Sequence, residues 1–140
     1  MSSRVNHFKT IPALAKALGT ASMELGKASL DKKIRQLVDI RASQMNHCAF
    51  CLDMHVKEAK LGGERELRLY HVAIWRESPL FNAKEKAALA LTEALTRIGD
   101  HGVSEVLYKE LREHFSEVEI SELTFSIAMI NAWNRLQILS

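Results

Sequence analysis

Proline is scarce in this sequence, two residues in 140, and runs of β-branched residues are few, so little in it argues for strands or interrupts helices. No stretch approaches the roughly 18 consecutive apolar residues of a membrane span. The opening MSSRVNHFKTIPALAKALG lacks the apolar core and small-residue cleavage site of a secretory signal, so a cytoplasmic protein away from the membrane is expected. A net charge of +2 with no basic run leaves out the electrostatic footprint of a nucleic-acid binder. Two cysteines cannot form a disulfide framework, and a chain of this length buries a core without one. In a reducing compartment, a close cysteine pair points to metal binding or redox chemistry instead of a structural staple.

What the sequence does have is apolar residues at three-and-four spacing along most of its length, which predicts an all-α fold. We read residues 1–140 as one domain, a bundle of about six or seven helices. The first is expected from Pro12 to about Lys27. A second starts at the cap Asp31 and buries a stripe of Ile34, Leu37, Val38, Ala42 and Met45. Asn46 is expected to end that helix and cap the next, which places Cys48 in the first turn and runs to Leu61, where Gly62 and Gly63 supply a left-handed stop. A short helix over residues 64–75 follows. Asn82 with Glu85 resembles a capping box for a helix to about Ile98, a further helix covers residues 104–114, and Ser116 with Glu119 opens the last. That last helix, containing LTFSIAMINAWNRLQIL, is apolar on nearly every side, which predicts that a second subunit covers part of it.

The stretch NHCAFCLDMH, residues 46–55, carries the chemistry. On a helix Cys48 and Cys51 have α-carbons about 5 to 5.5 Å apart, within the disulfide range, and His55 follows on the same face four residues after Cys51. The helix N-terminus favours a thiolate at Cys48, while a neighbouring base favours one at Cys51. From these residues alone either sulfur can be the reactive one. A zinc module is the weaker alternative, because two cysteines and one histidine are three ligands and no second Cys or His pair is present. Haem attachment needs a histidine directly after the second cysteine, where Leu52 stands.

Taken together, RASQMNHCAFCLDMH (41–55), YHVAIWRESPLFNAKEKAALALTEALT (70–96) and INAWNR (130–135) resemble the alkylhydroperoxidase AhpD-like proteins of the carboxymuconolactone decarboxylase superfamily, over about residues 10–139. The resemblance implies an all-α fold that assembles as a homo-oligomer, a trimer or a hexamer. It implies a peroxidase in antioxidant defence, or a disulfide reductase, that needs no metal or cofactor. Its hydroperoxide substrate would be reduced by the cysteine pair, and a thioredoxin-like protein or a dihydrolipoamide-type dithiol would return the electrons. Carried onto this chain, Cys51 becomes the sulfur oxidised to sulfenic acid, Cys48 the proton donor and resolving partner, and His55 the proton acceptor. The superfamily's decarboxylase branch typically lacks the pair.

The chain departs from that pattern at two positions. The glutamate expected twelve residues before the first cysteine is Gln36, which cannot exchange a proton near neutral pH, and Asp39 is the available substitute. His47 stands where glycine is usual. Gln36, Ile40, Ser43 and His47 share a helical stripe leading towards Cys48, which makes Ser43 and His47 candidates for lining the site, although helix capping would also account for Ser43. The missing relay glutamate keeps a non-enzymatic, redox-responsive oligomer in view as the alternative. Tyr70 and Trp133 are further candidates for the lining, with core packing as the default for Trp75, Trp133, Met45 and Met129.

Overall fold

The computed structural model describes residues 4–140, and no strand occurs among them. Eight α-helices occur among the described residues: α1 (His7–Thr10), α2 (Pro12–Leu25), α3 (Lys32–Met45), α4 (Ala49–Leu61), α5 (Glu66–His71), α6 (Ala83–Thr96), α7 (Glu105–His114) and α8 (Glu117–Leu139). A 3₁₀ turn, Val72–Ile74, extends α5. The all-helical expectation therefore holds, with α1 as the addition. It is a single turn capped by Asn6, too short to show a period in sequence.

Local signals account for most boundaries. Pro12 opens α2 at a position where its missing N–H costs nothing. The Asp31 carboxylate accepts from the Lys33 amide at the start of α3. Both capping boxes form, with Asn82 and Glu85 at α6 and with Ser116 and Glu119 at α8. Gly63, at φ 93°, is the left-handed residue that stops α4.

Helix α3 lies at the centre and packs against α4, α6 and α8. One of its faces, Ile34, Val38 and Ala42, joins Ala88, Leu91, Leu111, Leu123 and Ile127 in a core shared with α6, α7 and α8. The other, Leu37 and Ile40, packs with Ala59, Leu69, Val72, Trp75 and Leu89. This corrects the expected single stripe, because a helix enclosed on two sides buries Ile40 and Ser43 as well, while Met45 is only half-buried. Helix α8 buries Leu123, Ile127 and Ile130 but leaves Phe125, Ile138 and Leu139 more than half exposed. Among the described residues no helix is long and apolar enough to cross a membrane.

The α3–α4 turn is where the chain differs most from its sequence pattern. Asn46 ends α3, yet Cys48, not Asn46, is the N-cap of α4, its sulfur receiving the Cys51 amide at 3.3 Å. Between them His47 adopts φ 55°, the left-handed region. A non-glycine residue there costs roughly 1–2 kcal/mol, and glycine's extra chain entropy offsets about 0.5–1 of that. His47→Gly is accordingly expected to raise stability by about 0.5–1 kcal/mol, read from the midpoint of urea unfolding at unchanged slope.

Candidate active site

The N-terminus of α4 holds the cysteine pair. Cys48 and Cys51 are joined in a disulfide with α-carbons 5.3 Å apart, and both are only 3% exposed. Cys48 is the cap and Cys51 the third residue of the helix, so both sulfurs sit among the unpaired amides at its positive end. Upon reduction that environment favours a thiolate on either one.

The turn carrying the pair is clamped from α8. The Asn46 side-chain amide donates to Asn131 Oδ1 and Asn134 Oδ1, both at 2.9 Å, and Asn134 donates to the Ser43 hydroxyl at 3.1 Å. Asn131 also donates to Thr96 Oγ1. The two asparagines of INAWNR therefore fix the loop that presents Cys48, and Ser43 is fully buried in that clamp instead of lining a site.

Cys51 opens onto a pocket of about 500 Å³ between α2, α3, α4 and α8. Phe50 and Met54 of α4, Met129, Ile130 and Trp133 of α8, and Phe8 from α1 form apolar walls. Trp133 is anchored by donating to Ser22 Oγ at 2.7 Å, and Phe8 stacks on it with ring centroids 6.3 Å apart. Arg35, Asp39 and His55 supply the ionisable groups of the lining besides Cys51, and Ser22, Ser126 and Gln137 its other polar side chains.

The electrostatics centre on His55. Its Nδ1 lies 3.2 Å from Glu58 Oε2 and 3.7 Å from Asp39 Oδ2, which favours the proton on Nδ1 and leaves Nε2 as the acceptor in the neutral ring. Burial pushes the Asp39 carboxyl up from its ordinary 3.8 to about 6, against the lowering influence of His55 and Arg35. A quarter of the Asp39 side-chain surface remains open. Among the described residues no group of three or more His, Cys, Asp or Glu side chains is arranged to hold a metal ion.

The structure thus brings together Cys51, His55 and Asp39, with Cys48 bonded behind Cys51. Gln36 is not among the pocket residues. Its amide nitrogen lies 3.5 Å from where a Cβ on Gly62 would sit, at the far end of α4. His47 is exposed on the turn, outside the pocket lining. The proposed Gln36–Ile40–Ser43–His47 stripe consequently does not line the pocket, because Gln36 lies against the α4 C-terminus, Ile40 and Ser43 are buried in the core, and His47 is on the exposed turn beyond α3. Of the two aromatic candidates, Trp133 lines the pocket, whereas Tyr70 is exposed and donates to Glu66. Trp75 is a core residue donating to Glu93, and Met129 faces the pocket. Sequence reasoning passed over Arg35, although it stands one helical turn before Asp39 on the same face.

Comparison with known proteins bears on the family and the fold. Residues 12–94 match the carboxymuconolactone decarboxylase family. The chain is 39% identical over 138 residues to the uncharacterized protein YdfG of Bacillus subtilis, spanning 99% of this chain and 94% of that one. It superposes with a TM-score of 0.94 on an Agrobacterium tumefaciens protein of unknown function proposed as an antioxidant defence protein AhpD, at 36% identity, covering 98% of this chain and 94% of that one. At the level of fold alone it is also similar to the debrominase Bmp8, with a TM-score of 0.79 and 22% identity over 89% of this chain and 67% of the other.

Proposed function

The chain belongs to the carboxymuconolactone decarboxylase family, and from that premise we propose that it is a thiol-dependent peroxidase acting in antioxidant defence through Cys51, Cys48 and His55. The observation that carries the reading is a reversible-type cysteine pair whose second sulfur faces a substrate-sized apolar pocket beside a carboxylate-bound histidine.

In this reading His55 takes the Cys51 proton and the thiolate attacks the terminal oxygen of a hydroperoxide. The O–O bond breaks, Cys51 becomes a sulfenic acid, and the leaving alkoxide takes the Cys48 proton to depart as an alcohol. The Cys48 thiolate then attacks the Cys51 sulfur, and the hydroxide released takes the proton from His55 to become water. A dithiol donor, thioredoxin-like or of the dihydrolipoamide type, returns two electrons and two protons to the disulfide. Asp39 stabilises the transient imidazolium of His55, the part that Gln36 is too distant to play. The exposed Phe125 and the uncovered end of α8 support assembly with further copies of the chain, as a trimer or hexamer.

The test uses fully reduced protein and one equivalent of cumene hydroperoxide, without added reductant. The peroxide is expected to disappear mole for mole, with loss of both thiols and a mass decrease of about two units for the internal disulfide. Survival of both thiols would sink the proposal. Tribromopyrrole, run in parallel, separates it from the chemistry for which Bmp8 is named, since bromide release outpacing peroxide loss would favour the other reaction. Repeated turnovers with dihydrolipoamide would distinguish an enzyme from a redox-responsive oligomer that oxidises once.

A further inference from the structure

Building on the peroxidase reading of Cys51, we propose that the same pocket holds an anion subsite at Arg35, which selects hydroperoxides that carry a carboxylate at the end of an apolar body.

Arg35 is the single lysine or arginine among the residues lining the pocket. Its guanidinium donates to the Leu25 carbonyl at the end of α2, which uses one of five donors. Among the described residues no carboxylate oxygen lies within 4 Å of it, in contrast to Arg41 and Arg68, which are paired with Glu93 and with Glu64 and Glu85. The nearby Asp39 is instead the one that approaches His55. A half-buried cation beside an apolar cavity, with most of its planar fork unused, suits a ligand carboxylate.

The spacing defines the ligand further. Arg35 and Asp39 occupy successive turns of α3, Cys51 and His55 successive turns of α4, and the His55–Asp39 contact sets the two middle turns level. Arg35 therefore lies about two helical turns from Cys51, roughly 12 Å along the helices. Phe50, Met54 and Trp133 are among the apolar walls of the same pocket. A medium-length alkyl or aryl chain, with the peroxide at one end of this span and the carboxylate at the other, matches both the distance and the apolar walls.

Binding tests the subsite without any peroxide chemistry. Octanoate and octanol are titrated against the oxidised protein by calorimetry or by tryptophan fluorescence, since Trp133 forms part of the wall. Wild type is expected to bind octanoate at least about 10-fold more tightly than octanol, the advantage of a charge-assisted pair. Arg35→Gln should bring the two affinities together, and Arg35→Lys should keep part of the preference. Equal affinities in wild type, or a carboxylate preference that survives Arg35→Gln, would overturn the subsite. Turnover then separates it from the underlying reading. A fatty-acid hydroperoxide should exceed its methyl ester in kcat/KM, and equal values with both reduced would remove the subsite alone. Octanoate preference in a protein that reduces neither compound would retain the subsite and remove the peroxidase.

Discussion

Cys51→Ser is expected to abolish hydroperoxide reduction, by about a thousandfold or more, whereas Cys48→Ser should still consume one equivalent per chain and then stop. The asymmetry comes from position. Cys51 faces the pocket with His55 on the next turn, while Cys48 caps the helix and is absent from the pocket lining. Without Cys51 no sulfur meets the peroxide. Without Cys48 the sulfenic acid forms but has no neighbour to condense with, so it should accumulate and be trapped by dimedone, visible by mass spectrometry at residue 51. Both variants keep the fold on the present structure, since α4 is held by the asparagine clamp and by Ala59 in the core, and circular dichroism checks that. A burst that persists in Cys51→Ser and vanishes in Cys48→Ser would reverse the two roles.

That assignment was open to the sequence only through resemblance, and the reason is physical. Helix-end electrostatics favour Cys48 and the spacing of His55 favours Cys51, and both sulfurs turn out to share the first turn of α4. What distinguishes them is the pocket, which is made by α2 and α8 as much as by α4 and so has no local signature. Features fixed within a few residues were legible: the capping boxes at Asn82 and Ser116, the Gly63 stop and proline at the start of α2. Features fixed by tertiary packing were not. Ser43 looked like a site residue because periodicity shows which residues share a face but not what that face meets, and here it meets Asn134. Arg35 shows the converse, an apparently ordinary surface arginine whose position matters because α2 and α8 enclose a cavity beside it.

The same distinction decides between Gln36 and Asp39. Asp39→Asn is expected to slow peroxide turnover by about 10- to 100-fold, the usual contribution of a positioned acid–base group, while Gln36→Glu should change it by less than about twofold. Gln36 sits against the far end of α4, so a carboxylate there would gain no contact with His55. Asp39 has that contact and a carboxyl held at about 6 by burial. The wild-type rate should therefore rise as pH increases through about 6 and Asp39 ionises, and this limb should disappear in Asp39→Asn. Stability should move the opposite way. A carboxyl with its pKa raised on folding is bound more tightly to its proton in the native state, so stability declines as pH rises from about 4 to about 6 and stays lower above that. By that linkage Asp39→Asn should be more stable than wild type at pH 7 by about 3 kcal/mol, with the two converging near pH 4, as measured by urea unfolding across the range. A variant that is slower yet more stable marks Asp39 as a group retained for chemistry at a cost in folding. If Asp39→Asn is both fast and unchanged in stability, His55 works with Glu58 and solvent alone, and Asp39 drops out of the mechanism.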